Sequence, residues 1–298
     1  MDESNVKVEN EEKTLRKPPW LIQRISFQNN IHQVKQHLRQ KALHTVCEAA
    51  ACPNIFDCFS RNTATFLIMG DQCTRRCGFC AVSKNPPLPL DPEEPARVAQ
   101  MVKEMSLKHA VITSPSRDDL FDGGAGHFAQ TVHEIKRLDQ DITIEVLTPD
   151  FGGNWQALAL VIESRPDVFN HNIETVPRLY PKVRPQASYS RSLELLKRIK
   201  GKAPDLVTKS GLMVGLGETR DEVFGVMADL LTAKCEVLTI GQYLRPSRLH
   251  LPVVEYLHPD IFEIYRQEGE KLGFRAVASS PMVRSSFHAM EVLKKLTD

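Results

Sequence analysis

Six short runs of β-branched and apolar residues punctuate the chain, at 63–69, 109–113, 143–147, 167–171, 207–214 and 235–241, with helix-length segments between them. An apolar run of this length suits a strand buried on both faces, and strands alternating with helices predict a parallel sheet of βα units. Six units are too few to close an eight-stranded barrel. The pattern therefore predicts an α/β fold, a partial (β/α)6 barrel of the TIM type left open on one side. Upstream, KPPW at 17–20 predicts an extended segment, because proline lacks an amide hydrogen and restricts the residue before it. Residues 31–50 are rich in helix formers, NPPLPLDP reads as loop, and a helix is expected near 95–107. The partition expected from this is a disordered acidic tail over 1–16, an N-terminal extension over 17–62, the barrel over 63–275 and a C-terminal extension over 276–298.

Composition narrows the partners. The 298 residues, 42% of them hydrophobic, suffice for a large core. Lys+Arg 38 against Asp+Glu 37 leave a net charge of +1, so the global basic field that non-specific nucleic-acid binding needs is absent, and no nucleic-acid partner is expected. No stretch approaches the roughly 18 to 20 apolar residues that cross a bilayer, and no apolar leader opens the chain. The first thirteen residues hold five acids and two lysines, the wrong sign for a mitochondrial presequence. The expectation is an unexported protein of a bacterial-type cytoplasm with no membrane partner.

Cysteine usage changes the picture most. Six of seven cysteines crowd between Cys47 and Cys80, with Cys235 alone in a strand run where packing is its ordinary role. Short regular gaps in a reducing compartment point to metal ligands rather than disulfides. Cys73, Cys77 and Cys80, in CTRRCGFC, follow the first strand run directly; three thiolates on one short loop can hold three irons of a cubic 4Fe-4S cluster and leave the fourth iron open. Zinc is the alternative, although it usually takes paired ligands and completes four. Cys47, Cys52 and Cys58, in CEAAACPNIFDC, form a second triad spaced x4 then x5, read either as another 4Fe-4S site or as buried cysteines packing as small hydrophobes.

Polar residues cluster just after the strand runs, as in TSPSRDD, TPD and HNIE, at the end where α/β barrels carry their active sites. The x3 then x2 spacing of the first triad, with an aromatic residue before the last cysteine, resembles the signature of the radical S-adenosylmethionine superfamily. With both triads in this order, the chain resembles the lipoyl synthase family. The likeness runs through KPPW, CPNIFDC, GDQCTRRCGFCAV, RDDLFDGGA, VLTPDF, FNHNIETVPRLYPKVRP, TKSGLMVGLGET, LTIGQYLRPS and VRSS.

The resemblance implies insertion of two sulfurs, at C6 and C8 of an octanoyl chain held on a lysine of a carrier protein. That carrier would be a glycine cleavage H protein or a 2-oxoacid dehydrogenase lipoyl domain, and an electron donor and a cluster-rebuilding protein would also be partners. It implies S-adenosyl-L-methionine and two 4Fe-4S clusters, one binding S-adenosylmethionine at Cys73, Cys77 and Cys80. The other is an auxiliary sulfur donor at Cys47, Cys52 and Cys58, with Ser285 of VRSS as its fourth ligand. Read without the family, Ser285 is a helix N-cap. Unactivated C–H bonds yield to neither acid-base nor nucleophilic catalysis, which is why such a reaction needs a radical cofactor.

For S-adenosylmethionine, Asn172 and Glu174 alternate on one face of a strand end and suit the ribose or amino group, and Arg184 suits the carboxylate. The alternative is a plain Glu174–Arg184 salt bridge. Gly215–Leu216–Gly217 is read either as close backbone approach to the adenine or as a strand-to-helix turn. Arg117, Asp118 and Asp119 either orient the substrate and seal the site or form a solvated charge run. Three positions depart from the family pattern: Phe287 in place of a tyrosine, Ser280 in place of a glycine, and Pro115-Ser116 before Arg117. The rivals are a methylthiotransferase or biotin-type two-cluster enzyme, and a zinc-stapled binding module.

Overall fold

The computed structural model describes residues 15–22, 30–60, 64–286 and 289; Phe287 and most of the expected acidic tail lie outside them. One eight-stranded sheet runs in sequence order: β1 His44–Thr45, β2 Thr65–Leu67, β3 His109–Thr113, β4 Thr143–Leu147, β5 Val168–Asn170, β6 Val207–Val214, β7 Val237–Gln242 and β8 Ala276–Ser279. The β1–β2 pair is antiparallel and every other neighbouring pair is parallel. The sheet is open, with β1 and β8 as its edges, a partial TIM-type barrel.

All six strand runs become strands. The sheet gains an antiparallel edge at β1 and a seventh parallel strand at β8. Helices α1 Asn30–Gln40, α2 Val46–Ala49 and α3 Ile55–Ser60 precede the barrel; α4 Glu94–Glu104, α5 Ala125–Leu138, α6 Trp155–Glu163, α7 Tyr180–Val183, α8 Tyr189–Lys202, α9 Arg220–Thr232 and α10 Pro259–Leu272 follow strands in turn. Local chemistry fixes their starts. Asn154 and Ser188 accept the first free amides of α6 and α8, and Thr219 with Glu222 forms a reciprocal capping box on α9.

The sheet's outer face is apolar. Phe66, Ile112, Ile144, Val146, Phe169 and Ile240 pack in one core with Val98, Met101, Phe128, Leu158, Leu196 and Val226 of the covering helices. Because strand side chains alternate, Glu145, between Ile144 and Val146, turns to the opposite face, into the barrel. There the Lys209 ammonium meets its carboxylate at 2.9 Å, and the Asn170 amide donates to it at 2.7 Å. Burial pushes the Glu145 carboxyl up, but Lys209 and His109 outweigh it and hold the group down at about 2. The lumen is thus a paired polar core that leaves the ends of the strands for chemistry.

Candidate functional site

The first triad leaves β2 on a loop laced to its neighbours. The Cys73 amide donates to Ser83 O at 2.8 Å, the Thr74 amide to Ser116 O at 3.0 Å, and the Gly78 amide to Val183 O at 2.8 Å; the Leu251 amide closes on Gly78 O at 2.9 Å. A Cβ on Gly78 would press on the Leu251 side chain at 2.9 Å, so a larger residue there requires Leu251 to shift. The Cys73 sulfur already accepts two amides, from Arg75 at 3.4 Å and Ser116 at 3.3 Å. Such N–H···S contacts are among the groups that set cluster potential. Burial pushes the thiols of Cys77, to about 11, and Cys80 up, so each loses its proton only to an occupant with positive charge of its own.

An ion network built on buried Arg75 and Asp150 stands behind this loop. Arg75 pairs with Asp118 at 2.7 Å and Asp150 at 2.6 Å, and Asp150 also meets Arg191 at 3.1 Å. Burial pushes Asp150 up, and Arg75 reverses this to hold it at about 2. Arg117, 2% exposed, pairs with Asp119 at 2.8 Å and donates to Met69 O and Leu88 O. Of the RDD segment, Arg117 is buried and paired, while Asp118 and Asp119 stay exposed at its edge.

At the end of β5 the backbone turns sharply. Glu174 takes a left-handed conformation, φ 67, fixed by its amide on Gly211 O at 2.9 Å and its carbonyl accepting the Met213 amide at 2.9 Å. Asn172 donates to Glu174 Oε1 at 3.1 Å, so the two meet as expected of alternate strand positions. Arg184 donates not to Glu174 but to the carbonyls of Asn172 and Ile173 and to Tyr180 Oη, with Nε enclosed and unpartnered. Burial pushes the Glu174 carboxyl up against the opposing charge of Arg184. Gly215, at φ 99, adjoins Gln242 and Glu255 O and accepts the Val254 amide, a turn packed against 254–255.

The second triad lies on α2, α3 and the turn between them, at the antiparallel edge. Cys52 donates its amide to Cys47 O at 3.0 Å, and Cys58 to Asn54 O at 3.0 Å. Burial pushes the Cys47 thiol up to about 11 and raises that of Cys52. Buried Asn54 donates to Met282 O at 2.7 Å and so ties this loop to the C-terminal segment. That segment crosses β7 at Gly241, where Val283 O and Arg284 Nη1 fill the space of a Cβ. The crossing delivers Ser285 into the barrel mouth, where its hydroxyl donates to Asn172 Oδ1 at 2.8 Å. A Cβ on Gly211 would clash with Asn172 Oδ1, Ser285 Oγ and Thr239 Oγ1 at 2.6 to 2.9 Å. A polar cradle over a bare glycine therefore joins the two triads' surroundings.

Residues 67–230 match the Radical SAM superfamily, and residues 1–52 match the N-terminal domain of lipoyl synthase of that family. A lipoyl synthase of Caldanaerobacter subterraneus subsp. tengcongensis is 56% identical over 276 residues, 93% of this chain and 96% of the relative. One from Alkaliphilus metalliredigens is 53% identical over 280 residues, 94% of this chain and 97% of the relative. The chain belongs to the lipoyl synthase family. It is an enzyme of the lipoyl synthase type, a sulfur-inserting radical S-adenosylmethionine enzyme with 4Fe-4S clusters. Among solved structures, Streptococcus suis SuiB bound to S-adenosylmethionine gives TM-score 0.57 at 12% identity over 85% of this chain and 56% of that one. Methylornithine synthase gives 0.54 at 14% identity, over 82% and 74%. These two share the fold.

The residues present fit such clusters. No cysteine is in a disulfide, and Cys235, buried with Sγ 3.3 Å from Val237 O, is packing. Among the described residues no three His, Cys, Asp or Glu side chains converge to hold a single ion, whereas a cubane takes thiolates at separate corners. Buried polar atoms without partners, Gln72 Oε1, Lys84 Nζ, Ser114 Oγ and Arg184 Nε, come from the segments around the first triad. Among the described residues no helix is long and apolar enough to cross a membrane. Sequence reading missed Asn54, Gly211, Gly241 and Thr239; Asn54 lies within CPNIFDC, but its partner is 228 residues away.

Proposed function

We propose that Cys73, Cys77 and Cys80 hold the cluster that binds S-adenosylmethionine, and that Cys47, Cys52, Cys58 and Ser285 hold the auxiliary one. When bound, the first supplies the electron that cleaves S-adenosylmethionine to methionine and a 5′-deoxyadenosyl radical, and the second supplies sulfur. The substrate is an octanoyl chain on a carrier-protein lysine, of a glycine cleavage H protein or a 2-oxoacid dehydrogenase lipoyl domain, converted to lipoyl by two sulfurs at C6 and C8. An electron donor and a cluster-rebuilding protein serve the enzyme in a cytoplasm. In this reading residues 17–62 carry the auxiliary cysteines, 63–275 the radical barrel and 276–298 the Arg-Ser-Ser segment.

The observation that carries this assignment is the Asn54–Met282 tie, which holds the C-terminal segment to the loop of the second triad. Asn172 and Glu174, at the end of β5, bind the polar groups of S-adenosylmethionine, and Arg184 meets its carboxylate through the face its carbonyl bonds leave open. The Arg117–Asp119 and Arg75–Asp150 pairs keep the loops closed and exclude solvent from a site where a stray hydrogen-atom donor or dioxygen would quench the radical. Ser285 is a hard oxygen on a soft site, a bond suited to breaking when sulfur is given up.

Two measurements test this. Anaerobic incubation with an octanoyl-lysyl peptide, S-adenosylmethionine and reductant should add two sulfurs by mass spectrometry; 5′-deoxyadenosine without sulfur gain rejects the octanoyl assignment. Ser285→Cys should keep iron content and slow turnover, and unchanged sulfur insertion would sink the role given to the serine.

A further inference from the structure

Lys84 lies four residues beyond Cys80, on the segment that returns past the first triad. Its neighbour Ser83 accepts the Cys73 amide and forms an isolated parallel bridge with Gln72. The Lys84 ammonium is enclosed and has no hydrogen-bond partner. An enclosed ammonium without counter-charge is strongly disfavoured, so a fold keeps one only where an anion meets it. The contrast is internal: Lys209, a buried lysine, is met by Glu145 at 2.9 Å, whereas half-buried Lys84 has an enclosed ammonium that no side chain meets. On the other flank of the triad Arg184 Nε is enclosed and unpartnered too. Burial pushes the Cys80 thiol up and Lys84 opposes this, as Arg184 opposes it for Cys77, so each cation faces one cysteine of the triad.

We propose that Lys84 is an anion-compensating residue of the first triad, its ammonium meeting negative charge brought by the occupant of Cys73, Cys77 and Cys80. This rests on the cluster assignment above. Two anions there have the needed chemistry, the thiolate-bound cluster and the carboxylate of S-adenosylmethionine. A cation against the cluster favours its reduced, more negative form and raises its potential. A cation on the carboxylate tightens binding of S-adenosylmethionine and leaves the potential of the unliganded cluster alone.

The test uses Lys84→Met, which keeps the stem and removes the charge, with Lys84→Arg to restore it. In the metal-free chain Lys84→Met should unfold at the same or a higher temperature; a clear loss of stability means a protein partner already pairs the lysine and overturns the proposal. In the anaerobically reconstituted holoenzyme, a redox titration follows the paramagnetic resonance signal that responds to S-adenosylmethionine. A shift of the one-electron equilibrium toward the oxidised form by tenfold, about 59 mV, identifies the cluster as the anion. An unchanged potential with S-adenosylmethionine bound tenfold more weakly by calorimetry identifies the carboxylate. Lys84→Arg should recover whichever property is lost, and no change in either overturns the proposal. Wild-type protein that takes up no iron at the first triad would instead defeat the cluster assignment itself.

Discussion

Cys73, Cys77 and Cys80 follow β2, the first strand of the parallel run, whereas Cys47, Cys52 and Cys58 sit on helices of four and six residues and the turn between them, next to the two-residue antiparallel strand at the sheet's edge. The first loop is pinned by hydrogen bonds from residues near 83, 116, 183 and 251, and by the Arg75 ion pairs behind it. The second leans on the Asn54–Met282 tie and on a strap passing over Gly241. A site used every turnover is best built on rigid strand ends, and a site that is dismantled and rebuilt gains from a surround that opens at low cost. The difference in support matches the difference in proposed roles.

Removing a ligand from each region should separate them most. Cys77→Ala is expected to leave no 5′-deoxyadenosine above background, whereas Cys52→Ala should still form it and insert no sulfur, each variant losing about four irons per chain. Loss of 5′-deoxyadenosine in both would break the division. Next in size is an acid effect confined to the barrel. Burial, with the Arg184 charge adding to it, holds His171 down at about 4 from an ordinary 6.5, so the unfolded chain binds the extra proton between these values. That stability is complete above pH 6.5 and lost as pH falls toward 4, about 3 kcal/mol in all. Thermal unfolding across this window should show the slope, and His171→Gln should flatten it.

The strap comes third. Gly241→Val drives a side chain into Val283 O and displaces Ser285, which should cut sulfur insertion on the order of 10²-fold while S-adenosylmethionine cleavage survives. Equal loss of both activities would mean that the strap serves the barrel as a whole. Smallest is the bridge between the regions. Asn172→Ala removes the partner of Ser285 and of Glu174, and should weaken S-adenosylmethionine binding about tenfold by calorimetry.

The barrel was legible because its strands are β-branched runs with period and length of their own. Ala276–Ser279 escaped because AVAS is short and half alanine, a residue depleted in strands, and the two residues of β1 carry no signal at all. The thiol spacings and the order of residues in HNIE were readable since each lies within one short stretch of chain. The role of Arg117 stayed open in the sequence because its carbonyl partners, Met69 O and Leu88 O, are distant and no local pattern announces them. The Asn172–Ser285 contact spans 113 residues, and proximity of that kind is a product of topology alone.

The Asn54–Met282 tie joins segments 228 residues apart. A ribosome adding roughly 5 to 20 residues per second makes the first of them about 10 to 45 s before the second. During that interval the early cysteines are exposed in a nascent chain whose serine has not been synthesised. With Ser285 as the proposed fourth ligand, completion of the auxiliary site would wait for translation to pass residue 285, and a factor delivering iron would meet the full proposed set of ligands only after that.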